Sequence, residues 1–262
     1  DNDAMDQRDE KLQELSGLIN IQVSYDTRGS MTVTTGGSVI ASGAGAVPLQ
    51  SSVQGNQIVV RAGAAGGPTV PVTGGELGGV LTAYNTTIPD TLAQLDQAAA
   101  ALIARVNQLH RAGSGLGTPP PTGNAFFAGT GAADIAVDPA IAANANLIAA
   151  SGDGTPGDNT TARAIAGVQT ELLMNGNSAT IGQFYNNLVS GLGSSVDSTD
   201  NQTKQQLAVL TSLQNQQSSV AGVSLDEEMT NLITYQNGYS AAAKVISAVD
   251  SMFQTILNMV SP

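Results

Sequence analysis

Leu225, Leu232, Tyr239, Ile246, Phe253 and Val260 stand seven residues apart through the last stretch of the chain. Tyr235, Ala242, Val249 and Ile256 fill the second position of the same repeat, and Met229, Ala243 and Leu257 widen the stripe along one side. An apolar period of this kind belongs to the seam of a coiled coil or a helical bundle. At about 1.5 Å per residue, the helix it predicts runs roughly 50 Å. A single helix is marginal in water without tertiary packing, so this one asks for a partner, either from its own chain or from a neighbour. The expected assembly surface is therefore Leu225, Met229, Leu232, Tyr235, Tyr239, Ala242, Ile246, Val249, Phe253, Ile256, Leu257 and Val260.

The start of that helix carries its own signal. Ser224 precedes Leu225-Asp226-Glu227-Glu228, which predicts a serine N-cap, a capping box closed by Glu227, and carboxylates facing the positive helix end. The three acids are thereby accounted for without a catalytic or metal role. Gly222 predicts a hinge just before the cap.

Composition narrows the function classes. Among 262 residues, hydrophobic types reach 41%, enough for a core, but aromatics make up 3% and tryptophan is absent, so large anchors for a deep pocket are scarce. A net charge of −12 with nine Lys plus Arg opposes binding to nucleic acid or to an anionic membrane. No run of about 18 apolar residues predicts a bilayer span. The lack of cysteine removes disulfides, thiolate catalysis and cysteine-ligated zinc together. The chain opens on Asp1-Asn2-Asp3 without an initiator methionine and reads as a fragment.

Periodicity divides the rest. Met5, Leu12 and Ile19, with Leu15 and Leu18, predict the end of a helix over residues 3–19. The period then drops to two at Ile19, Ile21, Val23 and Tyr25, and Asp26-Thr27-Arg28-Gly29 supplies a turn before Met31 and Val33, so a β-hairpin is expected. Further short strands, among them Gln57 to Arg61, complete a small β-subdomain over 19–75. Leu81, Ile88, Leu95, Leu102 and Leu109 then repeat every seven residues, predicting a second long heptad helix that Pro89 kinks or restarts. Residues 112–160 read as an irregular loop, marked by Pro119-Pro120-Pro121 and the pair Phe126-Phe127. A third helical run is expected from near Thr161, becoming amphipathic at Ile181, Phe184, Tyr185, Leu188 and Leu192 and continuing past Leu207, Leu210, Leu213 and Val220.

The fold expected is mainly α with a small β-subdomain: long antiparallel heptad helices forming an elongated bundle, plus a C-terminal coiled-coil helix. Its parts are a helix at 1–18, the β-subdomain at 19–75, a helical domain at 76–221 containing the loop 112–160, and the assembly helix at 222–262.

Catalysis needs convergent groups, and the sequence offers none. His110 is the single histidine and falls at a helix C-terminus, where the dipole favours it. Asp153 and Asp158 lie in Gly152-Asp153-Gly154 and Gly157-Asp158-Asn159, with spacing that fits turn chemistry rather than a calcium loop. The glycine clusters lack the strand and helix context of a phosphate loop and read as turns. No catalytic residue, cofactor or metal is expected.

Val223-Ser224-Leu225-Asp226-Glu227-Glu228-Met229, Leu232-Ile233, Tyr235-Gln236, Tyr239, Ala242-Ala243-Lys244-Val245-Ile246 and the stretch Met252 to Met259 resemble the C-terminal signature of the bacterial flagellar axial proteins. Rod and hook proteins usually carry Ala-Gln-Arg where this chain has Thr234-Tyr235-Gln236, and the Tyr-Gln form is similar to the hook-associated members. Asp6-Gln7-Arg8-Asp9 with Leu12 and Leu15-Ser16, Gly74-Gly75-Glu76-Leu77-Gly78-Gly79-Val80-Leu81, and Phe126-Phe127 after a glycine-rich loop agree in the same order.

The resemblance implies a secreted, non-catalytic subunit, exported by the flagellar apparatus, that joins hook to filament. The partners it implies are a homo-oligomeric ring of like subunits, the hook protein and the adjacent junction protein, and an export chaperone on the C-terminal helix, with neither nucleic acid nor membrane. It further implies that an N-terminal helix pairs with the terminal seam and that the helical domain begins upstream of Asp1. Larger members insert a β-domain after the paired phenylalanines, so this is a compact form. Gly238 stands where a better helix former is usual, at about 1 kcal/mol relative to alanine. Another axial component, a hook or flagellin-like protein, is the alternative within the class. A secreted adhesin or enzyme on an axial scaffold is the alternative outside it.

Overall fold

The computed structural model describes the backbone of residues 2–221 and 225–260, and side chains within 3–216 and 229–252. The protein is mainly α-helical with a small antiparallel β part, in two compact units, Asp1–Leu192 and Gly193–Pro262. Ser224, Gly222 and the capping carboxylates expected at 224–228 lie outside the described residues.

The chain opens with α1 (Asn2–Leu18), whose Leu12 and Leu15 face the first core while Met5 and Leu18 stay exposed. The expected hairpin follows as β1 (Gln22–Tyr25) and β2 (Met31–Thr35), antiparallel with Val23 opposite Val33 and Tyr25 opposite Met31. Its turn is held by the Asp26 carboxylate, which accepts from the Arg28 and Ser30 amides at 2.8 and 2.7 Å. β3 (Ser38–Ser42) and β4 (Gly45–Ala46) extend the sheet in the order β1-β2-β3-β4. As an edge strand, β1 leaves Val23 and Tyr25 exposed, so its alternation does not sort an inner from an outer face; the Arg8 guanidinium covers the Tyr25 ring at 5.6 Å.

A second sheet contains β5 (Leu49–Gln54), β6 (Gln57–Ala62) and β7 (Thr69–Val70) in that order. Both sheets close over Val33, Ile40, Val60, Val70 and Val72, with Ile19 from the end of α1 and Leu81 from the next helix.

That next helix is α2 (Gly75–Thr82), and the Gly74-Gly75 string at its start has a steric cause. Gly75 takes φ +69 and lies so close to the end of α1 that a Cβ would sit 2.5 Å from the Ile19 nitrogen. Asn20 fixes the same junction, its Oδ1 accepting from the amides of Thr73 and Gly74 at 3.0 and 3.2 Å.

A π-helical turn, Ala83–Thr87, joins α2 to α3 (Ile88–Ala112). Pro89 falls in the first turn of α3, where its missing N–H is tolerated, so it restarts the helix rather than ending it. The heptad stripe is not buried continuously across this join. Leu81 lies in the first core, Ile88 is 53% exposed, and Leu102 and Leu109 are half-buried farther along.

The third helical run expected from Thr161 is two helices, α5 (Thr160–Gly167) and α6 (Ile181–Ala221), after the one-turn α4 (Pro139–Ala143). Between them Asn175, Gly176 and Asn177 take positive φ in succession, a left-handed turn no α-helix can cross. Met174 and Ala179 bridge across that turn and, with Phe184, form a second cluster against Ala98 and Ala101 of α3. Beyond Phe184, α6 exposes Tyr185, Val189 and Leu192, and the later Leu207, Leu210 and Leu213 are exposed as well.

The loop 112–160 has order supplied by polar side chains of α3. Asn107 accepts from the amides of Phe126 and Phe127 at 2.9 and 2.8 Å and donates to the Phe127 carbonyl at 2.9 Å. This sets the short pair β8 (Phe127–Ala128) and β9 (Ala136–Val137) beside the helix. Asp96 accepts from the Ala132 amide at 2.7 Å. The Arg105 guanidinium makes a two-pronged pair with Glu171, at 2.8 and 2.7 Å.

Candidate assembly surface

α7 (Leu225–Val260) is helical over 36 residues, the length expected from the heptads. Of the expected surface, Met229, Leu232, Tyr235, Tyr239, Ala242, Ile246 and Val249 are all exposed, Tyr239 at 84% and Ile246 at 66%. The side chains of Leu225, Phe253, Ile256, Leu257 and Val260 lie outside the described residues. Every described side chain of this helix, from 229 to 252, is exposed.

The polar groups of α7 are better provided for than its apolar ones. The hydroxyls of Thr234, Ser247 and Ser251 donate to the carbonyls four residues back, at 2.8, 3.0 and 2.9 Å. Lys244 and Asp250 are the charged residues between 229 and 252; Lys244 lies off the stripe, and Asp250 sits at its margin, seven residues from both Ala243 and Leu257. A surface with apolar groups uncovered, hydroxyls satisfied internally and few charges is driven to associate by apolar area, at about 25 cal/mol per Å² removed from water. A strict seven-residue repeat drifts about 20° per heptad on a straight helix, so its partner would wind around it with a left-handed twist.

Two positions belong with this surface that the sequence reading left out. Val245 and Met252 are exposed, lie seven apart, and flank the stripe beside Ile246. Their own heptad spacing was the available signal.

His110 lies in the last turn of α3, as expected. It is 1% exposed; its Nδ1–H donates to the Asn124 carbonyl at 2.8 Å, and Nε2 accepts from the Ala149 amide at 2.9 Å. The ring also meets Phe126, which stands edge-on to Phe127. It therefore clamps two loop segments to the C-terminal end of α3.

Asp153 and Asp158 hold the turn assigned to them. Asp158 accepts from the Gly152 amide at 2.6 Å, from the Ser151 hydroxyl at 2.9 Å, and from the amide and hydroxyl of Thr160, and these donors hold its carboxyl far below the usual carboxylate range. The Thr155 amide, at 2.8 Å, lowers Asp153 in the same way. A cavity of about 390 Å³ lies beside α3, walled by Leu102, Val106, Phe126, Phe127, Ile165 and Ile181. It contains no titratable group. Among the described residues no helix is long and apolar enough to cross a membrane.

The family model for the flagellar hook-associated protein FlgK helical domain matches residues 1–127. The model for the flagellar basal body rod FlgEFG protein C-terminal region matches residues 214–259, which takes in the exposed stripe of α7. The flagellar hook-associated protein 1 of Bacillus subtilis is 26% identical over 305 residues, covering 98% of this chain and 58% of the relative. That of Escherichia coli is 23% identical over 351 residues, covering 98% and 64%. That of Salmonella typhimurium is 35% identical over 102 residues, covering 39% and 18%. The chain thus spans about three-fifths of the length of the first two relatives. With the helical-domain model at its front, the rod-type C-terminal model at its end, and relatives of one name aligned along nearly all of it, the chain is similar along almost its whole length to flagellar hook-associated protein 1.

Proposed function

We propose that the chain is a structural, non-catalytic subunit of the bacterial flagellum that joins hook to filament and assembles through the heptad face of α7. The observation that carries this reading is the stripe from Met229 to Val249, uncovered along a helix matched by a C-terminal model of axial proteins. The partners are a ring of like subunits, the hook protein and the adjacent junction protein. Before assembly an export chaperone covers α7, and the assembled subunit is extracellular. Its parts are those assigned from the sequence, with residues 222–262 as the assembly segment.

Sharing the C-terminal model with rod proteins favours another axial component as a second reading, whereas the helical-domain match over 1–127 favours the hook-associated one. Complementation of motility in a strain lacking the protein tests the proposal. A carboxylate at position 246 could not be buried without a large desolvation cost, so Ile246→Asp is expected to be secreted yet fail to retain filaments. Ser247→Asp, one residue off the stripe, is expected to retain them. Normal filaments with Ile246→Asp would refute the α7 surface.

A further inference from the structure

Asparagine precedes glycine twice in this chain, at Asn175-Gly176 and at Asn237-Gly238, and the two sites sit in opposite structural circumstances. We propose that Asn237-Gly238 is a self-modification site, at which the chain converts its own asparagine to aspartate and isoaspartate. The Gly238 backbone nitrogen attacks Asn237 Cγ and forms the N–Cγ bond. The Cγ–Nδ2 bond breaks, and Nδ2 leaves as ammonia with the proton that the Gly238 nitrogen carried. Water, the only co-reactant, then opens the succinimide ring. Breaking the new N–Cγ bond gives aspartate, and breaking the bond to the main-chain carbonyl gives isoaspartate. Glycine allows the attack because no side chain shields its nitrogen.

Within a closed helix the Gly238 N–H is held by the carbonyl four residues back, so the reaction waits for that turn to open. Little prevents opening here. All described side chains of α7 are exposed, those on either side of Gly238 included, and a helix-interior glycine is less favourable than alanine. Asn237 is itself exposed and lies away from the Tyr235 and Tyr239 stripe.

Asn175-Gly176 is the internal control. Asn175 and Gly176 take φ +51 and +66 in a turn closed by the Ser178 and Ala179 amides on the Met174 carbonyl, at 3.0 and 3.2 Å, and by the Ser178 hydroxyl on the Asn175 carbonyl at 2.8 Å. Met174 anchors that turn in the second core cluster.

Isoaspartate inserts a methylene into the main chain between Tyr235 and Tyr239, putting the two halves of the stripe out of phase. Resting on the assembly reading above, this gives an unassembled subunit a limited lifetime, while a partner that covers α7 keeps the turn shut.

The test follows modification at both asparagines by peptide mapping of the purified full chain, with synthetic peptides of the same two sequences as open references. Asn237 is expected to react within about tenfold of its peptide, an opening free energy below ~1.4 kcal/mol. Asn175 is expected to lag its peptide by more than about tenfold. Gly238→Ala should suppress reaction at Asn237 and leave Asn175 unchanged. A lag beyond tenfold at Asn237, or indifference to Gly238→Ala, overturns the proposal. A second arm compares chain recovered from assembled flagella with free chain of equal age. Equal modification in both, with the first arm as expected, would leave the chemistry standing and refute the covering of α7.

Discussion

Asn85 and Ile58 close a ring of two hydrogen bonds: the Asn85 Oδ1 accepts from the Ile58 amide and its Nδ2 donates to the Ile58 carbonyl, each at 2.8 Å. The side chain thus imitates a β-strand neighbour for one residue of β6, and it does so from the π-helical turn. Replacement by alanine leaves a half-buried donor and acceptor unpaired, at about 1–3 kcal/mol. Asn85→Asp should be comparably harmful, because its second oxygen would face the Ile58 carbonyl. Denaturant unfolding measures both, and a loss under about 0.5 kcal/mol would show that water replaces the ring without cost.

Gly75→Ala tests the junction between α1 and α2. A Cβ would meet backbone 2.5 Å away, and the positive φ adds about 1–2 kcal/mol on its own. The expected result is a loss above ~2 kcal/mol in chemical denaturation. Gly79, also in the glycine string but with open space around it, should accept alanine within about 1 kcal/mol either way. Equal effects at the two positions would contradict the geometry.

Acid sensitivity should reside in the 151–160 turn and in the 130–134 turn held by Asp134. The folded carboxyl of Asp158 is depressed by its donors, as are those of Asp153 and Asp134. Groups of this kind contribute stability that is complete above the unfolded value, about 3.9, and is lost as pH falls through the lower folded value. Thermal midpoints should therefore be insensitive to these residues from neutrality to about pH 4 and fall in stronger acid. Asp158→Asn should flatten that acid limb; parallel curves for wild type and variant below about pH 4 would refute the assignment.

Amide exchange in the free chain should divide it unevenly. Strong protection is expected at Ile103 to His110, where α3 is buried and bonded to the loop, and weak protection at Leu232 to Val249, where no side chain is covered. Leu207 to Leu213 on α6 should behave like α7 rather than like α3. Strong protection along α7 in a verified monomer would mean that its face is covered within the chain.

What could be read from the sequence was what repeats. The seven-residue spacing located α7 and the helix through Leu81 to Leu109, and the change to period two located the first hairpin. Asn20, Asn85, Asn107 and His110 were not legible as anchors, because a polar residue within a periodic segment has the same local signature whether it faces water or a backbone brought back from far along the chain. Asn107 meets partners 19 and 20 residues away, and Asn85 reaches back 27. The division of the third helical run was partly announced by Asn175-Gly176-Asn177, a turn signal that the apolar spacing on either side masked. The uncovered apolar stripe of α7 from Met229 to Val249 was legible because its spacing is set by its own helix alone.

The π-helical turn at Ala83–Thr87 also acts as a phase adjuster. A turn widened by one residue rotates everything after it by about 100° relative to an unbroken α-helix. Leu77 and Leu81 address the β part, while Ala98 and Ala101, after the π turn, address Phe184 and Met174, so the turn sets the angle between the two clusters. A deletion within Ala83–Thr87 would straighten the hydrogen bonding locally yet aim one of the two clusters at solvent, so the length of this helix is set by direction and not by span.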